Sequence, residues 1–171
     1  WESSGSFTNA PWSNTKDCTG AGQAIDDDIT TAIPLGFTFR FGATGYTTVR
    51  IQSNGRLHFG SNTFCGFGTQ TVGPPPTYPY LYPDGLPGGS ASSVANTMRI
   101  YGGDLDPSLG GSVKYRSDGA APNRRFIVTW DSVKEWQQNS SKFELQIILY
   151  ESGDFDYQYK TFTNPSKGQG Q

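Results

Sequence analysis

Apolar and polar residues alternate along most of this chain with a period of two. In the stretch LGFTFRF, Phe37, Phe39 and Phe41 are separated by Thr38 and Arg40. In TTVRIQSNGRLHFG, Val49 and Ile51 lead into Asn54-Gly55, and Leu57 and Phe59 lead out of it. Successive side chains of a strand point to opposite faces, so this pattern predicts half-buried β-strands. Asn-Gly between two such runs is the strongest short-range hairpin signal, because both central residues of a type I′ turn need positive φ. With Leu57 and Phe59 turned inward, His58 is expected to face solvent.

The pattern recurs toward the C-terminus. Met98 and Ile100 form a short run. Val113 and Tyr115 precede a turn at Asp118-Gly119. Phe126, Val128 and Trp130 share one face of RRFIVTWDSV, and Ile127 on the other predicts a strand covered on both sides. Phe143, Leu145, Ile147 and Leu149 run to a turn at Ser152-Gly153, and Phe155, Tyr157 and Tyr159 return from it. Only SVKEWQQNSSK suits a helical turn or two. Eight or so strands with closely spaced turn signals predict an all-β fold, an antiparallel β-sandwich or jelly roll. One domain over residues 1–162 is expected, with 163–171 a tail or linker to further domains. The interval from Ser61 to Asn96 has no strand pattern and reads as one long Pro/Tyr-rich loop. A loop of that length in a compact domain is usually functional or disordered.

Composition narrows the function classes. A chain of 171 residues buries roughly 70% of its unfolded surface, so it needs no metal or dense disulfide framework to fold. Only 16% of it is charged and the formal net charge is −2, which argues against the basic stripe of a nucleic-acid binder. No apolar run approaches the roughly 18 residues that span a bilayer, so no membrane insertion is expected. The chain starts at Trp1 and carries no signal-peptide pattern; it reads as a mature or excised fragment. Two cysteines on a Ser/Thr/Gly-rich chain suggest an exported protein with a Cys18–Cys65 disulfide, the alternative being two buried thiols.

Candidate chemistry is sparse. His58 is the lone histidine, so a histidine-dependent triad has no other base to draw on. A glycosidase needs two carboxylates, and Glu144 and Asp131 lie near strands, but nothing in the pattern makes them converge. No enzyme is expected. Asp26, Asp27 and Asp28 stand in a row, and Asp104 and Asp106 form an Asp-x-Asp pair. Such oxygen-rich stretches suit Ca²⁺, which takes six to eight oxygen ligands; they equally suit solvated acidic turns. Ca²⁺ is the one cofactor for which the chain holds candidate ligands, and none is required. Loop aromatics are the remaining feature. In GPPPTYPYLYP, Tyr78, Tyr80 and Tyr82 alternate onto one face of an extended segment, and Phe67 and Trp136 also lie in polar surroundings. Tyrosine combines apolar area with a hydroxyl at low entropy cost, which suits a binding platform. The same rings would serve equally as a lid over one end of the core.

The blocks VRIQSNGRLHFG, CGFGTQTVGPPPTYPYLYP, TMRIYGGDLDPSLGGSVKY, NRRFIVTWDSV and FELQIILYESGDFDYQY together resemble the N-terminal β-rich region of MshQ-like proteins. These are large surface proteins associated with mannose-sensitive haemagglutinin type IV pili. More distantly, the order of motifs from about Ile33 to Tyr159 is similar to the nidogen-type extracellular (NIDO) domain. The resemblance implies a non-enzymatic extracellular module of a larger multidomain or polymeric surface protein, and it brings no catalytic residues. The function expected is adhesion to a glycan or another surface through loop aromatics. The alternatives are a structural subunit of a surface filament and, last, a polysaccharide hydrolase.

Overall fold

The computed structural model describes residues 1–3, 6–12, 25–63, 65 and 96–165. Among these are ten strands: β1 (Thr8–Asn9), β2 (Ile33–Phe41), β3 (Thr44–Gln52), β4 (Arg56–Phe59), β5 (Thr97–Arg99), β6 (Leu105–Asp106), β7 (Ser112–Asp118), β8 (Arg125–Glu135), β9 (Gln138–Tyr150) and β10 (Phe155–Thr163). They form two antiparallel sheets. The larger has the order β1-β7-β8-β9-β10, with β6 pairing the end of β8; the smaller has the order β2-β3-β4-β5. The expected all-β sandwich is the fold observed.

The alternating apolar residues meet between the sheets. Leu35, Phe37, Phe39, Val49, Ile51, Leu57 and Phe59 face Val113, Phe126, Val128, Trp130, Phe143, Leu145, Ile147 and Leu149 in one core cluster. Each fully buried side chain of this kind contributes roughly 1.5–3 kcal/mol. Ile127 and Ile148 lie on the outer face of the larger sheet and are also buried. The N-terminal residues lie on that outer face. Glu2 exchanges hydrogen bonds with the Gln146 side chain at 3.0 and 2.7 Å. Its carboxylate pairs with Arg116 and Arg125, and Arg116 sits 4.7 Å over the Phe7 ring. The two-sided cover expected for β8 is therefore present.

Three local expectations are corrected. The Asn54-Gly55 hairpin exists, but Gln52 pairs with Arg56, which leaves a three-residue loop rather than a two-residue type I′ turn. Only Gly55 has positive φ (77°) in that loop, as in a turn closed by a left-handed glycine. SVKEWQQNSSK forms no helical turn: Glu135 pairs with Gln138 across a tight hairpin whose tip is Trp136-Gln137. His58 does not face solvent. It is fully buried, as is every residue of β4, because alternation decides which face a side chain takes and not whether that face is covered. Its Nδ1 lies 2.8 Å from Thr97 Oγ1. Burial, then the charges of Arg56 and Arg99, pull its pKa down to about 3.

Candidate functional site

Two places on the described surface combine chemistry with accessibility. The first is an acidic cluster at one end of the sandwich, where three chain segments are pinned by backbone hydrogen bonds. Ser53 N donates to the Asp28 carbonyl at 2.9 Å, and Asp28 N donates to Ser53 Oγ at 3.0 Å, which ties the Asp run to the β3–β4 loop. Ile100 N donates to the Gly55 carbonyl at 3.0 Å, and Trp136 N donates to the Asp104 carbonyl at 2.8 Å. Asp104 is thus held between the β3–β4 loop and the β8–β9 hairpin.

The result brings Asp26, Asp27 and Asp104 together, each half-buried and each offering one carboxylate oxygen within 4.8 Å of the others. Asn54 joins them, its Nδ2 donating to Asp27 Oδ1 at 2.5 Å. Burial pushes the pKa of Asp104 up to about 8, reinforced by the charges of Asp27, Asp26, Asp106 and Glu135. Behind the cluster, the buried Glu135 accepts a hydrogen bond from Tyr101 Oη at 2.8 Å. Burial and this carboxylate raise the Tyr101 hydroxyl far above its ordinary range.

The other two aspartates do different work. The fully buried Asp28 accepts from the amide of Ile29 at 2.7 Å. Asp106 accepts from Ser108 N at 2.8 Å and caps a single 3-10 turn over Pro107–Leu109. Of the five aspartates singled out in the sequence, three converge and two cap backbone amides.

The second place is an aromatic ledge on β10. Phe155, Tyr157 and Tyr159 pair with Leu149, Ile147 and Leu145, and Phe162 pairs with Phe143 beyond a bulge, so all four point toward the core side of the sheet. Yet Phe155, Tyr159 and Phe162 are 48%, 56% and 43% exposed. The cause is length: β10 has nine residues, and the opposing edge strand β5 has three. Tyr159 Oη reaches across to the Ile100 carbonyl at 3.0 Å, and Phe162 packs edge-on against Tyr101 and Phe143. The Phe155 and Tyr157 rings pack against each other with centroids 5.3 Å apart. Trp136, at the hairpin tip beside Asp104, is 40% exposed.

The carboxylates considered for hydrolysis are engaged. Glu144 accepts from Lys160 Nζ at 2.8 Å and Thr161 Oγ1 at 2.5 Å, and these bonds hold its pKa down at about 2. Asp131 pairs with Lys114 at 3.3 Å. Phe67, Tyr78, Tyr80 and Tyr82 lie outside the described residues, as does Cys18; Cys65 is not a free thiol. Sequence reasoning missed Asn54 as a member of the acidic cluster, since an Asn before Gly signals only a turn. It also assigned Phe155 and Tyr159 to a core strand, because alternation carries no information about where the opposing sheet ends.

The family model described as NIDO related matches residues 1–171. No curated protein matches the chain, and no solved structure does.

Proposed function

Because the chain belongs to the NIDO-related family, a family of extracellular β-domains, we propose that it acts as a non-enzymatic adhesion module recognising glycan. The observation that carries this reading is the ledge, with Phe155, Tyr159 and Phe162 exposed at intervals along one face of a strand. Sugar rings pack their C–H faces on aromatic platforms, and exposed aromatic patches mark interaction sites. The parent we propose is a large pilus-associated surface protein of the MshQ-like kind, on the strength of the strand-block resemblance. Single-site affinity would be weak, and many copies on one surface would amplify it.

The test is a glycan array probed with the wild-type chain and with a Phe155→Ala/Tyr159→Ala variant. Binding by the first and loss in the second, with an unchanged melting temperature, is the expected result. A Tyr78→Ala/Tyr80→Ala/Tyr82→Ala variant forms a parallel arm. Binding that survives the ledge variant and disappears in this one moves recognition to the long loop.

A second reading, a structural subunit of a surface filament, draws on β10 being outermost among the described strands of its sheet. An edge strand offers backbone groups for pairing with another chain. Concentration-dependent sedimentation without sugar binding favours it. A hydrolase is the weakest reading. A general acid needs a raised pKa, and Glu144 is held the other way.

A further inference from the structure

We infer that β10 is the contact edge of a closed dimer, paired antiparallel with β10 of a second copy of this chain about a two-fold axis beside Gln158. An open strand edge is a template for pairing, and proteins blunt the edges they do not use. Three of the four edges of the described sheets are blunted. β1 is two residues long and β5 three. β2 carries Pro34, and its ladder breaks between Pro34 and Phe39, where Gly36 has φ 86°. Its Leu35 carbonyl accepts from Ser117 Oγ at 3.4 Å, and its Gly36 carbonyl accepts from Arg124 Nη1. β10 is the exception, nine residues long and regular from Phe155 to Tyr159.

The backbone of this edge is set for pairing. Tyr150 N donates to the Asp154 carbonyl at 3.0 Å, which closes the β9–β10 hairpin. Opposed residues of an antiparallel pair alternate between bonded and non-bonded. Asp156 and Gln158 therefore bond to β9, and Phe155, Tyr157 and Tyr159 aim their N–H and C=O groups away from it. Among the described residues no backbone group meets them.

The side chains select the partner and the register. Asp156 and Lys160 are exposed, opposite in sign and equally distant in sequence from Gln158. Asp156 and Gln158 pair with Ile148 and Gln146 on the outer face of the larger sheet, and Lys160 reaches Glu144 on the same face. A second β10 centred on Gln158 sets Tyr157 opposite the partner's Tyr159, so outward backbone groups meet outward backbone groups. It also sets Asp156 beside the partner's Lys160, and Lys160 beside the partner's Asp156. Opposite charges across a strand pair attract, and like charges repel. Centring on Asp156 would bring two carboxylates face to face, and centring on Tyr157 would face Asp156 with the partner's Gln158. A second copy in the Gln158 register is thus the occupant whose charges fit. The contact is isologous, so it closes at two copies and does not grow into a filament. The two aromatic ledges would lie on one side of the joined sheet and adjoin at Tyr157 and Tyr159. The dimer goes beyond the adhesion reading and does not depend on sugar binding.

Sedimentation velocity of the full chain at rising concentration should show a monomer–dimer equilibrium that stops at the dimer. Asp156→Lys and Lys160→Asp should each weaken dimerisation roughly tenfold or more, because each turns two attractive pairs into repulsive ones. Mixing the two variants should restore a dimer, since each presents the charge the other lacks. Tyr159→Pro removes an N–H that points away from β9, so it should fold and stay monomeric. Melting temperatures check that each variant is folded. A wild-type chain that stays monomeric throughout overturns the inference. So do dimerisation unchanged in folded Asp156→Lys or folded Tyr159→Pro, a mixture that behaves as its separate components, and association that runs on past the dimer. Sugar binding is read separately on the array, so the adhesion reading and the dimer stand or fall independently.

Discussion

The indole Nε1 of Trp130 donates to the carbonyl of Ser53 at 2.9 Å, joining the centre of β8 to the β3–β4 loop across the two sheets. Ser53 is also the residue that holds Asp28 in place, so the bond runs from the core to the base of the acidic cluster. Trp130→Phe leaves the Ser53 carbonyl without its donor and a void beside it. The expected loss is about 2–4 kcal/mol, combining an unsatisfied buried acceptor with a partly filled cavity. Urea unfolding measures it.

His58 makes the domain sensitive to mild acid. Its folded pKa, about 3, lies below the unfolded value near 6.5. The folded state therefore binds fewer protons than the unfolded state between those limits. This contribution is complete above about pH 6.5 and is lost as pH drops toward 3. His58→Gln, which retains a polar group near Thr97, should flatten the pH dependence of the unfolding free energy between 6.5 and 4.5. An unchanged slope there would show that His58 is not the group responsible.

Glu144 acts in a lower window. Bonds from Lys160 and Thr161 depress its pKa to about 2, so its contribution is present above about pH 4.5 and is lost as pH falls toward 2. Glu144→Gln should lower stability by about 1 kcal/mol at neutral pH, the net scale of a charge-assisted contact whose lysine partner is half exposed. The difference from wild type should vanish near pH 2. Should the variant instead abolish release of sugar from a polysaccharide, the non-enzymatic reading would be wrong.

Gly103 leaves room for the Tyr101 ring. A Cβ at this position would lie 2.4–2.6 Å from the Tyr101 ring and hydroxyl. Gly103→Ala is expected to displace the ring from Glu135 and to cost about 1–3 kcal/mol. Thermal unfolding detects the cost, and a lowered tyrosine titration midpoint detects the freed Tyr101 hydroxyl.

Cys65 is expected to bridge to Cys18. Its carbonyl accepts from Gln52 Nε2 at 2.6 Å, which holds the chain after β4 to the end of β3, and the bridge would tie Cys18 to that same place. A loop of this length is worth ~4 kcal/mol in the chain-entropy picture. Reducing agent should lower the melting temperature, and a thiol count on unfolded, unreduced protein should give none.

Alternation by itself determined the strands, their inward faces and the two main hairpins, because a period of two is a local property that the core merely ratifies. Phe37, Val49, Phe126 and Leu145 lie where it put them. It determined neither what covers a face nor what lies beside it. His58 is on the face opposite Leu57 and Phe59 and is buried all the same. Phe155 and Tyr159 are on the core face and are exposed, since β5 ends before it can cover them. The same limit governs the acidic residues. Asp26, Asp27, Asn54 and Asp104 come from three segments with no shared period, and two of the five aspartates in those runs turn to backbone amides instead. Only the pairing of the sheets and the hydrogen bonds of Ser53, Gly55 and Trp136 bring the other three beside Asn54, because a site assembled across a fold depends on distances that sequence separation does not encode.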